Sequence, residues 1–178
     1  MAIFSFGEED KELGYKVLDE RVVRGSAGLM LLLGFIAFVN GFVIKNYVVL
    51  PYITGVMALN FFIAVFINPK FAPTMFISRL LVFKQSRLPI GAIQKRFAWS
   101  LGLLMMTAAF VMSLFLVNDA TWFEPVCMLC LICLLFMFLE TAFGICVGCQ
   151  LYFLALRLKL IKAPPVKPNC MGDSCKLD

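Results

Sequence analysis

Four long apolar stretches, separated by short polar or basic segments, set the pattern of this chain. Residues 25–44 and 48–67 form two runs of about 20 residues, the helix length that a hydrocarbon core of about 30 Å requires. Only Lys45 to Tyr47 part them. A third run covers 97–117, and a fourth covers 125–156 with a single ionisable group, Glu140. This pattern predicts an all-α protein with four transmembrane helices, preceded by an arm over 1–24 and followed by a tail over 157–178. The fourth run exceeds the bilayer thickness, so it is a continuous, a kinked or a re-entrant helix. Between the second and third spans the chain is also rich in Phe, Met, Ile and Leu, but Pro73 and Pro89 break it. That stretch reads as a segment lying in the membrane interface.

Charge adds an orientation. The arm, the segment from Asn68 to Arg96 and the tail hold four, six and five Lys and Arg, whereas the two intervening loops hold one and none. By the positive-inside rule both termini are expected in the cytoplasm. The arm has no apolar run suited to a signal peptide and is expected to be short and partly helical. Pro164, Pro165 and Pro168 keep the tail extended. Lys70, Arg79, Lys84, Arg87, Lys95 and Arg96 are placed in the interfacial segment, reaching toward lipid headgroups. Membrane lipid is therefore the expected partner, and nucleic acid is not.

Composition removes whole classes of chemistry. With 62% hydrophobic residues the chain lies far from the globular norm, and it contains no histidine. His-ligated haem, His-based zinc catalysis and a Ser-His-Asp triad are excluded. Chemistry falls to cysteine, to carboxylates or to a bound cofactor.

Three groups of residues carry a family resemblance. They are Asn68-Pro69-Lys70-Phe71-Ala72-Pro73, then Arg96-Phe97-Ala98 with Gly102, then Glu140 with Phe143-Gly144-Ile145-Cys146-Val147-Gly148-Cys149 and Tyr152. In this order they resemble a bacterial family of integral membrane proteins known as a domain of unknown function, number 4395. The resemblance implies a compact four-helix membrane fold and marks Cys146 and Cys149 as the family's cysteine pair. It supplies no activity.

Five of the seven cysteines lie between Pro125 and Leu156. Cys127 and Cys130 form one C-x-x-C, Cys146 and Cys149 a second, and Cys133 lies between them; Cys170 and Cys175 follow in the tail. Such spacing reads as a zinc site in soluble proteins, yet on a continuous helix the pairs stand about 28 Å apart. Only a re-entrant hairpin would let Cys127, Cys130, Cys146 and Cys149 share a metal. Thiol chemistry suits the geometry better. Pro125 at the first helical turn would place Cys127 and Cys130 where free backbone N–H groups and the helix dipole stabilise a thiolate. That placement is similar to quinone-linked disulfide-generating enzymes of the vitamin K epoxide reductase type, which would bring a quinone as cofactor. The chain departs from them in lacking a second cysteine pair in an outer loop.

Taken together, the pairs suggest an integral membrane protein handling thiols, disulfides or sulfane sulfur, acting with a thioredoxin-like or sulfurtransferase partner. Cys146, Cys149, Cys127, Cys130 and Glu140 are the candidate catalytic residues, and Cys133, Cys170 and Cys175 are further thiols. The alternatives are a small-molecule binding or transport protein, and a structural subunit whose cysteines merely pack. On a straight helix Cys130, Cys133, Glu140, Gly144 and Gly148 share an arc of about 80°. With no basic residue assigned to a span, Glu140 is expected to be neutral and hydrogen-bonded, with Asn60 as its partner. Asn40 is the other expected interhelical contact.

Overall fold

The computed structural model describes residues 6–10 and 13–161. Cys170 and Cys175, and most of the tail, lie outside the described residues. In the N-terminal arm, expected to be partly helical, Glu8–Asp10 and Tyr15–Asp19 form a β-hairpin and Glu20 to Arg24 open the first helix. Strand β1 (Glu8–Asp10) pairs antiparallel with β2 (Tyr15–Asp19), Glu8 opposite Val17, and β2 pairs with β3 (Pro89–Gly91), Val17 opposite Gly91. Gly14, at φ 73°, makes the turn, and its N–H donates to the Asp10 carbonyl at 2.9 Å. The third strand comes from far along the sequence, so local pattern does not announce the sheet.

Helix α1 (Glu20–Phe38) starts where Asp19 accepts from the Arg21 N–H at 3.1 Å, with Glu20 in the first turn complementing the dipole. A π-helical turn, Val39–Ile44, extends it. The second span is α2 (Val49–Phe62) with its own π-helical turn, Ile63–Ile67. Asn68 then caps a short turn by accepting from the Lys70 N–H at 3.0 Å. Helix α3 (Pro73–Val82) carries proline at its first position and α4 (Ala92–Leu116) forms the third span. The fourth is α5 (Phe123–Phe138), entered through a turn at Ala120–Trp122 and left through a π-helical turn at Leu139–Phe143. A last helix, α6 (Val147–Arg157), follows.

Four segments, Glu20–Ile44, Val49–Ile67, Ala92–Leu116 and Ala120–Phe143, are long and apolar enough to cross a membrane. The expected four-span fold is therefore present, with two displaced boundaries. The third span begins at Ala92 rather than Phe97, because Gly91 and not Phe97 is the last extended residue. The fourth stops at Phe143, short of residue 156, and of the continuous, kinked and re-entrant alternatives the run is broken there, with a separate helix beyond it.

The spans close a ring in which α1 packs on α2, α2 on α4, α4 on α5 and α5 on α1. Small residues permit this: a Cβ on Gly34 would lie 3.0 Å from Leu134, and one on Gly41 3.1 Å from Leu50. Val23, Met30, Phe61, Trp99 and Met106 fill the main core, and Leu50, Leu116 and Val126 a smaller one. Leu32, Phe35, Tyr52, Phe66, Leu104 and Leu135 remain exposed, an apolar belt suited to lipid.

Helix α3 occupies the stretch expected to lie in the membrane interface. It lays Thr74, Met75 and Ser78 on α1, where Ser78 donates to the Val22 carbonyl at 2.7 Å and Ser26 bonds Thr74 at 2.6 Å. Its other side exposes Phe76, Ile77, Leu80 and Leu81.

Helix α6 seats on α4 through Gly148, whose added Cβ would meet the Ala98 Cβ at 2.6 Å and its Cα at 2.8 Å. Gly148→Ala should therefore destabilise the fold by about 1–3 kcal/mol in a detergent unfolding measurement. Gly28→Ala, whose Cβ would meet only the Thr141 Cγ2 at 3.3 Å, should cost clearly less. Equal losses would contradict the close α4–α6 approach.

Candidate functional site

The break after the fourth span builds the site. In the π-helical turn the N–H groups of Gly144 and Ile145 both return to the Leu139 carbonyl, the latter at 3.1 Å. Gly144 takes a left-handed conformation at φ 69°, and the chain leaves the helix axis there. Arg24, reaching over from α1, donates through Nη2 to the Thr141 and Ala142 carbonyls at 3.1 and 3.3 Å. Those carbonyls would otherwise end a helix without partners.

Beyond Gly144 the chain is extended at Cys146, which becomes the N-cap residue of α6 and places Cys149 in its first turn. The C-x-x-C at a helix N-terminus, expected for Cys127 and Cys130, belongs instead to Cys146 and Cys149. Helix α5 starts at Phe123, earlier than Pro125, so Cys127 and Cys130 fall beyond its first turn. The two thiols of the inner pair lie close enough to act on each other electrostatically. They are 6% and 4% exposed.

Against this pair lies a charge the sequence reading did not place there. The Lys95 Nζ donates to the Glu140 Oε1 at 2.6 Å, with Lys95 0% and Glu140 7% exposed. The Lys95 ammonium also acts electrostatically on both Cys146 and Cys149, and the Glu140 carboxylate acts on them in the opposite sense. The neutral, Asn60-bonded Glu140 is thus corrected to a buried ion pair. The early start of α4 carries Lys95 into the bundle rather than leaving it among the headgroup-facing bases.

Asn60 is engaged elsewhere, its oxygen accepting from the Thr74 N–H and hydroxyl at 3.0 Å each. Both Asn60 and Glu140 still border a cavity of about 20 Å³, shared with Ser26, Met30, Met137 and Trp99. A space of this size holds about one water. Among the described residues Asn40 makes no interhelical bond either; its side chain donates to the Ile36 carbonyl of its own helix at 2.8 Å.

The remaining thiols are not brought to this place. Cys130 packs near Leu50, Leu116 and Val126 at the other end of the fourth span, and Cys127 lies one turn before it. Cys133 is buried in the main core. All five described cysteines are free thiols. Helix α6 packs on α4 and does not fold back along α5, so Cys127, Cys130, Cys146 and Cys149 do not surround one metal ion. The break also ends the single arc once expected to align Cys130, Cys133, Glu140, Gly144 and Gly148.

Lys95 is the residue that sequence reasoning missed. A signal existed, since an acid inside a span calls for a partner, and no breaker separates Gly91 from Lys95.

Four apolar spanning helices closed into a ring, with a buried ion pair beside a cysteine pair, define a polytopic helical membrane protein. The chain belongs to the family described as a domain of unknown function (DUF4395), whose sequence profile matches residues 18–157. No curated protein and no solved structure matches the chain.

Arg24→Gln should free the Thr141 and Ala142 carbonyls and destabilise the protein by about 1–3 kcal/mol. Amide exchange should quicken around residues 141–149 more than in α4. Loss spread evenly over the bundle would show that Arg24 does not hold the break.

Proposed function

We propose that the protein handles thiols, disulfides or sulfane sulfur through Cys146 and Cys149. One observation carries this reading. The pair sits at the N-terminus of α6 beside the buried Lys95 ammonium, where the helix dipole and the cation favour a thiolate at Cys146 against burial and the nearby Glu140 carboxylate, while Cys149 keeps its proton.

In the exchange, a Cys146 thiolate attacks one sulfur of a substrate disulfide and expels the other as a thiolate, which takes up a proton. Cys149, losing its own proton, then attacks the mixed disulfide. A Cys146–Cys149 disulfide forms and a second substrate thiol leaves, so two electrons and two protons pass to the substrate. A sulfane donor would instead pass one sulfur atom to Cys146 as a persulfide and leave as its own thiol. Lys95 supports the thiolate, and Glu140 holds Lys95 in place.

The inner membrane, with both termini cytoplasmic, is the placement the basic segments favour. It puts the site at the cytoplasmic end of the bundle, within reach of a thioredoxin-like or sulfurtransferase partner. The binding or transport reading gains less support, because the cavity against Glu140, at about 20 Å³, fits a water rather than a metabolite.

A maleimide applied to the full-length reduced protein should modify Cys146 or Cys149, oxidant should block the reaction, and dithiothreitol should restore it. Cys149→Ser should trap a mixed disulfide at Cys146, detected as an added mass. If neither thiol reacts in any redox state, the pair is packing and the proposal fails.

Orientation has its own check. A cysteine in place of Asp119 should react with an impermeant label from outside intact cells, and one in place of Lys84 only after permeabilisation. The reverse pattern would move the thiol site to the other compartment.

A further inference from the structure

A second feature stands apart from the thiol site, a groove of about 640 Å³ between the N-terminal sheet and α3. Its size lies within the range of about 300–1,000 Å³ typical of small-molecule sites. Its walls are drawn from span ends: Val22 opens the first span, Asn68 to Lys70 follow the second and Pro89 precedes the third. The groove therefore lies at the bilayer surface.

Lys70, Arg79 and Arg87 line it, with the acids Glu8, Glu9, Asp10 and Asp19 along the sheet side. Glu8 of β1 pairs with Lys70 and with Arg87, the latter at 3.2 Å. The Lys70 hydrogen bond holds the Glu8 carboxyl below its ordinary range, burial acts the other way, and Arg87 and Arg79 add to the lowering. Asp10 and Asp19 spend carboxylate oxygens on the N–H groups of Leu13, Arg21 and Leu88. Arg79 has no ion-pair partner among the described residues. On α3, next to Arg79, stand the exposed Phe76, Leu80 and Leu81, with Phe83 in the groove wall.

We propose that this groove binds an anionic glycerophospholipid. Its phosphate lies among Lys70, Arg79 and Arg87 in place of the Glu8 carboxylate, and its acyl chains run along the exposed apolar face of α3. A phosphodiester satisfies the bases. The apolar face beside them selects a lipid over a free phosphate ester. Glu8 is then the internal competitor that occupies the bases when no lipid is bound.

Native mass spectrometry of the full-length protein in detergent tests this with added phosphatidylglycerol, phosphatidylcholine and glycerol 3-phosphate. Phosphatidylglycerol should bind on the order of tenfold more tightly than phosphatidylcholine, in keeping with the attraction of several clustered bases for an anionic headgroup. The double variant Arg79→Gln, Arg87→Gln should lose that preference, whereas Lys84→Gln, outside the groove, should keep it. Glu8→Gln should tighten phosphatidylglycerol binding by removing the competitor. No preference in the unmodified protein, or a preference that survives in the double variant, would overturn the site. Displacement of the lipid by equimolar glycerol 3-phosphate would overturn the lipid assignment.

Discussion

The ion pair between Lys95 and Glu140 is the constraint around which the rest of the bundle is arranged. Removing an ammonium and a carboxylate from water costs several kcal/mol per ion, recovered only where the two meet at close range with little geometric freedom. The contact at 2.6 Å supplies that proximity, and it ties the first turns of α4 to the last turn of the fourth span. For Lys95 to reach Glu140, α4 must begin before the apolar run does. The helix ends that carry the two charges must also lie side by side.

That juxtaposition gives the cysteine pair its setting. A helix continuing past Phe143 would carry Cys146 and Cys149 along the outside of the bundle as two more apolar positions. The π-helical turn, Gly144 and the Arg24 bonds to Thr141 and Ala142 redirect the chain. Cys146 then starts a new helix against α4, next to Lys95. The buried charge and the broken helix are two sides of one device, because the break lets α6 turn onto the helix that bears the lysine.

Hydrophobic length was enough to find four spans, since burial in lipid imposes about 20 apolar residues wherever a helix crosses. The thiol pair, too, was visible as a motif. What the sequence left hidden depends on contacts between distant residues. Gly144 and Gly148 have the spacing of a packing face, and Gly148 does pack on Ala98, but Gly144 is a left-handed turn whose carbonyl neighbours are held by Arg24. The charge of Lys95 suggested a headgroup-facing base, and only its pairing with Glu140, 45 residues later, makes burial tolerable. The sheet was missed for a similar reason, since β2 pairs with β3 across the whole of the first two spans and α3.

A double-mutant cycle on Lys95 and Glu140, read as unfolding free energy in detergent, tests the role of the ion pair most directly. Lys95→Met and Glu140→Leu should each destabilise by about 3–5 kcal/mol, because each leaves a buried charge without its partner. The double variant should recover most of that loss, giving a large coupling energy between the two positions. If the two single losses simply add, the charges are not held by each other and the account of the bundle is wrong.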